Sequence, residues 1–307
     1  MILPALPAQV TVQWPQERLP ARLAVNGRLL PHHPGRVFHF RGPVRFRTNS
    51  AQVSLPGALI ARAVPKGWTV AWTTSGEGWV AAAVAGELGD RAPFEARRAL
   101  ATVLWLWLSA HPRGHHQDGS LCPLTHCAVV RGAGSPETAK AVEQAPDLKI
   151  NPDFAFFTGS KGGKSLSPRE VWGDGPSEAG VSEAVPGDRW ANWIRHLSPA
   201  QVRILKKSVA PGVKPGQLGM MLGPSGPFAV ESLRLAAGRA FGWTTWPSNA
   251  CTAETSKDGG LELHGRGWGH NAGLDLSEAA WRARRGERAE TILRAAFGDW
   301  ARPIVPD

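Results

Sequence analysis

Residues 79–132 read WVAAAVAGELGDRAPFEARRALATVLWLWLSAHPRGHHQDGSLCPLTHCAVVRG. They hold one carboxylate framed by glycines, one long amphipathic run and one cluster of soft ligands. From Glu95 onward the apolar residues Ala96, Ala99, Leu100, Val103, Leu104, Trp107 and Leu108 recur at the spacing of one helical face, which predicts a buried α-helix. Pro93 suits its first turn. The pattern stops at His111-Pro112, where the residue before a proline is pushed out of the helical region. Ahead of the helix stands Glu87, between Gly86 and Gly89, where the apolar run Trp79 to Val84 gives way to a loop. Spacing alone fits a surface carboxylate at the start of the helix as well as a functional acid.

Behind the helix come His111, His115, His116, Cys122, His126 and Cys127. Cysteine sulfur and histidine nitrogen are the ligands of tetrahedral zinc, and Cys122 with Cys127 forms a plausible loop pair with His126 beside it. A disulfide across the same gap is sterically possible, so spacing leaves metal, bridge and buried thiols open.

Outward from this stretch, residues 9–72 read as β. Gln9 to Trp14 alternates, and Arg22 to Leu30 carries the hairpin dipeptide Asn26-Gly27. Val37 to Arg47 and Val53 to Val64 are patterned runs broken at Gly42-Pro43 and Pro56-Gly57, and Trp68 to Trp72 completes a strand feeding Trp79. Gly132 to Arg189 is rich in Gly, Pro, Ser and charge, with a strand-like Phe154 to Thr158. The turn Lys161-Gly162-Gly163-Lys164 lacks the spacing of a phosphate loop and reads as a surface turn. Trp190 to Trp193 and Leu197 to Leu205 suggest helix, Gly216 to Leu222 and Phe228 to Val230 strands, and Ser232 to Phe241 a helix ending at Gly242. Leu261 to His264 predicts a strand, followed by the glycine-rich Gly265 to Gly273, and Leu276 to Arg285 and Arg288 to Phe297 predict two helices around Gly286. Cys251 reads as a core residue. The chain is therefore expected to be mixed α/β of the α+β kind, with a β-rich lobe over residues 1–78 and a core over 79–307.

A length of 307 residues supports a sizeable core. Thirty-five Lys and Arg against 25 Asp and Glu give a net charge of +10, which attracts polyanions. No compact basic run, zinc-finger spacing or RNA-binding signature accompanies it, so nucleic acid rests on charge alone. A cell wall carrying carboxylates and phosphates answers the same charge. Three cysteines are too few for a disulfide scaffold. No run of 18 apolar residues and no signal peptide is visible, so a transmembrane segment is not expected.

Three motifs carry a family resemblance. Glu87-Leu88-Gly89, then Pro93-Phe94-Glu95-Ala96 at the family's distance, then Cys122-Pro123-Leu124-Thr125-His126-Cys127 resemble, in order, motifs of the SpoIID family (stage II sporulation protein D and relatives), peptidoglycan lytic transglycosylases. Gly265-Arg266-Gly267-Trp268-Gly269-His270-Asn271-Ala272-Gly273-Leu274-Asp275-Leu276 echoes a further signature of that family, with Asn271 in place of a glycine and Asp275-Leu276 in place of Ser-Gln. Phe157 to Gly163 loosely resembles a glycine-rich segment that the family places near its active site, and Trp246-Pro247-Ser248 a turn ahead of its final strand.

The resemblance implies a two-lobed domain with a catalytic helix beside a metal-bound loop. It implies Glu87 as the catalytic residue, and cleavage of glycan strands between MurNAc and GlcNAc with 1,6-anhydro-MurNAc ends. It also implies Arg266, His270 and Asp275 as substrate-binding residues, or His270 as an aid to Glu87, with His270 and Arg266 equally readable as backbone-bonded and surface residues. It implies structural Zn2+ on His116, Cys122, His126 and Cys127, with His115 and His111 as substitutes for His116. The expected partners are peptidoglycan glycan strands and other cell-wall hydrolases, and the expected place is the cell envelope or outside the cell. A non-catalytic wall-binding or amidase-enhancing role in the same family is the alternative, favoured by loss of the Ser-Gln pair as retention of Glu87 favours the enzyme.

Overall fold

The structure is a computed structural model that describes residues 3–114, 116, 118–124, 127–173, 175–209, 230–298 and 302–303. It is mixed α/β, with several antiparallel sheets and eight α-helices among the described residues. The described residues form two compact units, the first ending at Leu148 and the second running from Lys149 to Pro303. The eight N-terminal strands thus share their unit with the first three helices.

The first unit carries two four-stranded antiparallel sheets. One has the order β1 (Val10–Trp14), β8 (Gly67–Thr74), β7 (Ala58–Val64), β4 (Val37–Phe40). The other runs β3 (Arg28–Leu29), β2 (Ala24–Val25), β5 (Val44–Arg47), β6 (Gln52–Leu55). The expected breaks hold. Asn26 and Gly27 adopt φ of 50° and 78°, the paired positive values that a tight hairpin requires. Trp14 meets Phe46 edge to face at 5.3 Å, joining the two sheets through their apolar faces.

Three helices complete this unit. The amphipathic run forms α2 (Phe94–Ala110), with Ala99, Leu100, Val103, Leu104 and Leu108 buried as the period requires. The apolar run before it does not lead into a loop. It is the middle of α1 (Gly76–Leu88), so Glu87 lies in a last helical turn. The reasons are local: Ser75 caps the first turn by accepting from Gly78 N, four alanines favour the helix, and Gly89 at φ 80° ends it. Trp79 and Trp107 stack at 5.7 Å between α1 and α2, and replacing the fully buried Trp79 by Ala is worth roughly 3–5 kcal/mol. A third helix, α3 (Pro136–Glu143), forms where sequence gave only loop composition; Ser135 caps it and Asp90 accepts from Ser135 N and Thr138 Oγ1, both at 3.0 Å.

A two-residue strand, β9 (Leu148–Lys149), marks the boundary. In the second unit β10 (Phe157–Thr158) runs parallel to β14 (Leu274–Asp275), and β11 (Trp193–Leu197), β13 (Leu261–Arg266) and β12 (Ala250–Thr255) form an antiparallel sheet in that order. Helices α4 (Pro168–Trp172), α5 (Pro199–Val209), α6 (Val230–Phe241), α7 (Leu276–Arg284) and α8 (Ala289–Phe297) complete it. Trp193, Leu197, Val202, Leu205, Leu233, Trp246, Leu261 and Leu263 build its core. The helical reading of Trp190 to Trp193 is corrected: Trp193 opens a strand opposite Gly265, where its indole fills the space a Cβ would take and donates to Gly267 O at 3.0 Å. Of the strands expected at 216–222 and 228–230, residues 216–222 and 228–229 lie outside the described residues, and Val230 begins α6.

Candidate functional site

Glu87 is half-buried at the end of α1, on the side of Ala83 and Val84, which are fully buried one turn earlier. Its Oε1 accepts a hydrogen bond from Val129 N at 2.8 Å. That contact depends on the residue before it. A Cβ at position 86 would meet Val129 O at 1.8 Å, so only glycine lets the chain at Val129 lie against the last helical turn. Burial raises the Glu87 pKa above the ordinary carboxylate value, and the Val129 amide and the charge of Arg131 offset this in part. The negative end of the α1 dipole adds to the disfavour of a charge there. Glu87 is thus an acid disposed to keep its proton nearer to neutrality than an exposed Glu.

The loop that supplies Val129 is stitched to both sheets. Gln13 N donates to Leu121 O and Leu121 N to Thr11 O, both at 2.8 Å, and Ala133 N donates to Ser54 O at 3.1 Å. On either side of the Leu121 anchor, His116, Cys122 and Cys127 bring their ligand atoms within 4.8 Å of one another, a group that could hold a metal ion. Cys127 Sγ lies 3.6 Å from His116 Nε2 and accepts from Cys122 N at 3.3 Å. Both cysteines are buried and no disulfide joins them. His126 and His115 lie outside the described residues. His111 closes α2, its Nδ1 3.0 Å from Trp107 O and its ring stacked on Trp107.

Arg266, His270 and Asp275 lie in the second unit, at the end of β13, in the loop after it and in β14 at the end of that loop. The sequence marked that loop and the Phe157 to Gly163 segment separately; the fold brings them together. Ser160 bridges to Trp268, and a Cβ at Gly162 would meet Gly267 N at 2.7 Å. Asn271 holds the arrangement. At φ 64° and fully buried, it donates from Nδ2 to the carbonyls of Lys161 and Arg266, both at 3.2 Å, and accepts from Ala250 N at 3.3 Å. Asparagine tolerates this left-handed backbone where most residues do not. A glycine would fit the backbone equally but leave those groups unpaired.

Asp275 is 3% exposed and caps α7, accepting from Glu278 N at 3.0 Å and from Lys161 N at 2.6 Å. Burial lifts its pKa to about 6 against the pull of these donors and of the Lys161 charge. Lys161, read as part of a surface turn, is fully buried; its Nζ has no hydrogen-bond partner, and burial lowers its pKa to about 8. Composition gave no sign of this, because the turn is buried by chain about 110 residues away. On the same helix Arg282 pairs with Glu278 at 2.7 Å, and with Glu287 just beyond its end at 3.0 Å.

His270 packs near Trp172, at 5.1 Å, and Phe156, at 6.1 Å, and its Nδ1 accepts from Ala272 N at 3.1 Å. Burial depresses its pKa to about 4, so it is a neutral imidazole near pH 7. Arg266 turns its side chain to solvent and contributes its carbonyl to Ser248 Oγ and Asn271. No helix among the described residues is long and apolar enough to cross a membrane. No family model matches this chain, and no curated protein matches it.

Proposed function

We propose that the chain is a peptidoglycan lytic transglycosylase of SpoIID type, acting on glycan strands at the cell envelope or outside the cell. The observation that carries this reading is Glu87: a half-buried carboxyl with a raised pKa, one oxygen fixed by Val129 N. Hydrolysis of a glycosidic bond normally takes two carboxylates. A lytic transglycosylase manages with one, because the attacking 6-hydroxyl belongs to the muramyl residue itself and is already tethered. Glu87 protonates the leaving oxygen and accepts the proton of the 6-hydroxyl, a double task that suits a pKa lifted toward neutrality.

The donor set supports zinc. Bonds of about 2.0 Å to nitrogen and 2.3 Å to sulfur place two ligands of a tetrahedral zinc roughly 3.5 Å apart, close to the 3.6 Å between His116 Nε2 and Cys127 Sγ. His116, Cys122 and Cys127 would hold it, with His126 as the fourth ligand by resemblance, and it would fix the loop rather than enter the chemistry. These residues then do one thing for Glu87: they place the Val129 amide.

A non-catalytic, wall-binding or amidase-enhancing role is the second reading. Asp275 favours it, since both its oxygens are spent on backbone donors. Digestion of glycan strands stripped of stem peptides, with mass spectrometry of the products, decides. Anhydro-muramyl ends that disappear in Glu87→Gln support the enzyme; binding without cleavage supports the alternative.

A further inference from the structure

Between Arg18 and Gly76 the sequence holds nine Lys or Arg, eight of them Arg, and no Asp or Glu. The remaining 26 basic and 25 acidic residues nearly cancel, so this stretch carries almost all of the net charge of +10. All nine side chains are exposed, and among the described residues none is in an ion pair. Two of them stand in a groove of about 550 Å3 on the open face of the sheet β3-β2-β5-β6, lined by Asn26, Pro43, Arg45, Arg47 and Gln52. Their orientation follows from register. Val44 and Phe46 point into the core, which leaves Arg45, Arg47, Gln52 and Ser54 on the solvent side. Asn26 fixes the rim of the groove by accepting from Arg45 N at 2.7 Å and donating to Pro43 O at 3.3 Å.

We infer that this face is a docking site for a linear, phosphodiester-linked wall polymer, which the proposed enzyme would grip while it works on the neighbouring glycan; the choice of occupant rests on that proposed function. Arginine meets phosphate with two parallel donors, and no carboxylate competes for it here. Residues two apart on a strand stand about 7 Å apart on one face, so Arg45 and Arg47 can meet successive charges of a closely charged chain. Muramyl carboxylates recur only once per disaccharide, a longer repeat. The groove offers no exposed aromatic ring on which bases would stack, since Phe46 is 3% exposed, and no helix to enter a duplex groove.

The test titrates the full chain against end-labelled poly(glycerol phosphate), followed by fluorescence anisotropy. Wild-type binding is expected to weaken at least tenfold between about 50 and 200 mM salt, as charge-driven binding does. Arg45→Gln/Arg47→Gln should weaken it at least tenfold at fixed salt. Arg203→Gln/Arg239→Gln, which removes the same charge from exposed positions of the other unit, should change it less than about twofold, with melting curves confirming that both variants fold. Equal losses in the two variants would reduce the effect to net charge and overturn the site. Tighter binding of duplex DNA or of polyglutamate at equal charge concentration would overturn the occupant. Binding is read without turnover, so it stands or falls separately from the glycan digestion.

Discussion

The loop from His111 to Gly132 and the loop from Gly267 to Gly273 are both irregular chain, and they are held in opposite ways. The first is bonded to strands at Leu121 and, just past its end, at Ala133, while His116, Cys122 and Cys127 bring thiols and an imidazole together. Such a cluster could hold a metal ion, whose binding would add to the cohesion of the loop. The second is closed by its own backbone and by two buried side chains, Asn271 within it and Asp275 just after it: Asn271 serves four backbone groups and Asp275 two. The lesson is that a fixed loop can draw on a ligand or on internal hydrogen bonds. The carboxylates beside the two loops differ accordingly. Glu87 sits at a helix C-terminus with one backbone donor, Asp275 at a helix N-terminus with two.

Metal removal is the strongest test of this contrast. One zinc per chain is expected by elemental analysis, and Cys127→Ser or chelation should cost several kcal/mol of stability in the first unit. Hydrogen exchange at amides 156–163 in the second unit should barely change. Equal loosening of both units, or an absence of metal with unchanged melting, would collapse the distinction. Next in size, Glu87→Gln should lower turnover at least about 100-fold, or roughly 2.7 kcal/mol of barrier, with folding intact. Because the carboxyl must carry its proton, the wild-type rate should fall as pH rises past the raised pKa. Near wild-type anhydro-muramyl production by the variant would move the chemistry elsewhere.

Asn271→Ala should destabilise by about 2 kcal/mol or more, since it leaves buried groups unpaired and strains a positive φ. Asn271→Gly should cost less, because it removes the strain alone. If the two variants melt together, the backbone conformation is not part of the cost. The smallest effect concerns Asp275. Its pKa is about 6 in the fold and about 3.9 unfolded, so between those values the folded chain binds more protons. Stability should therefore decline as pH rises from about 4 to about 6, by on the order of 2 kcal/mol. Melting temperature against pH, in wild type and Asp275→Asn, reads this directly; a slope that persists in the variant would assign it to another group.

Much of the framework was legible because its signals are local. The Asn26-Gly27 hairpin, the breaks at Gly42-Pro43 and Pro56-Gly57, and the period of α2 each depend on residues within one element. The helices around Gly286 follow the same rule, since glycine there takes a φ of 89° that ends one helix before the next. The cluster of His116, Cys122 and Cys127 was also visible, being compressed into one loop. Other features needed closure over distance. Trp193 became strand because Gly265 leaves room for its indole. Lys161 was buried by the loop that follows Arg266, and Glu87 gained its donor from a residue 42 positions away, through the space left by Gly86. Sequence by itself determined which residues could carry chemistry and which segments could be regular, because propensity and periodicity act within a few residues. Only the tertiary structure decided which carboxyl is desolvated and which amide meets it, because burial and hydrogen bonding are set by whatever chain arrives from elsewhere.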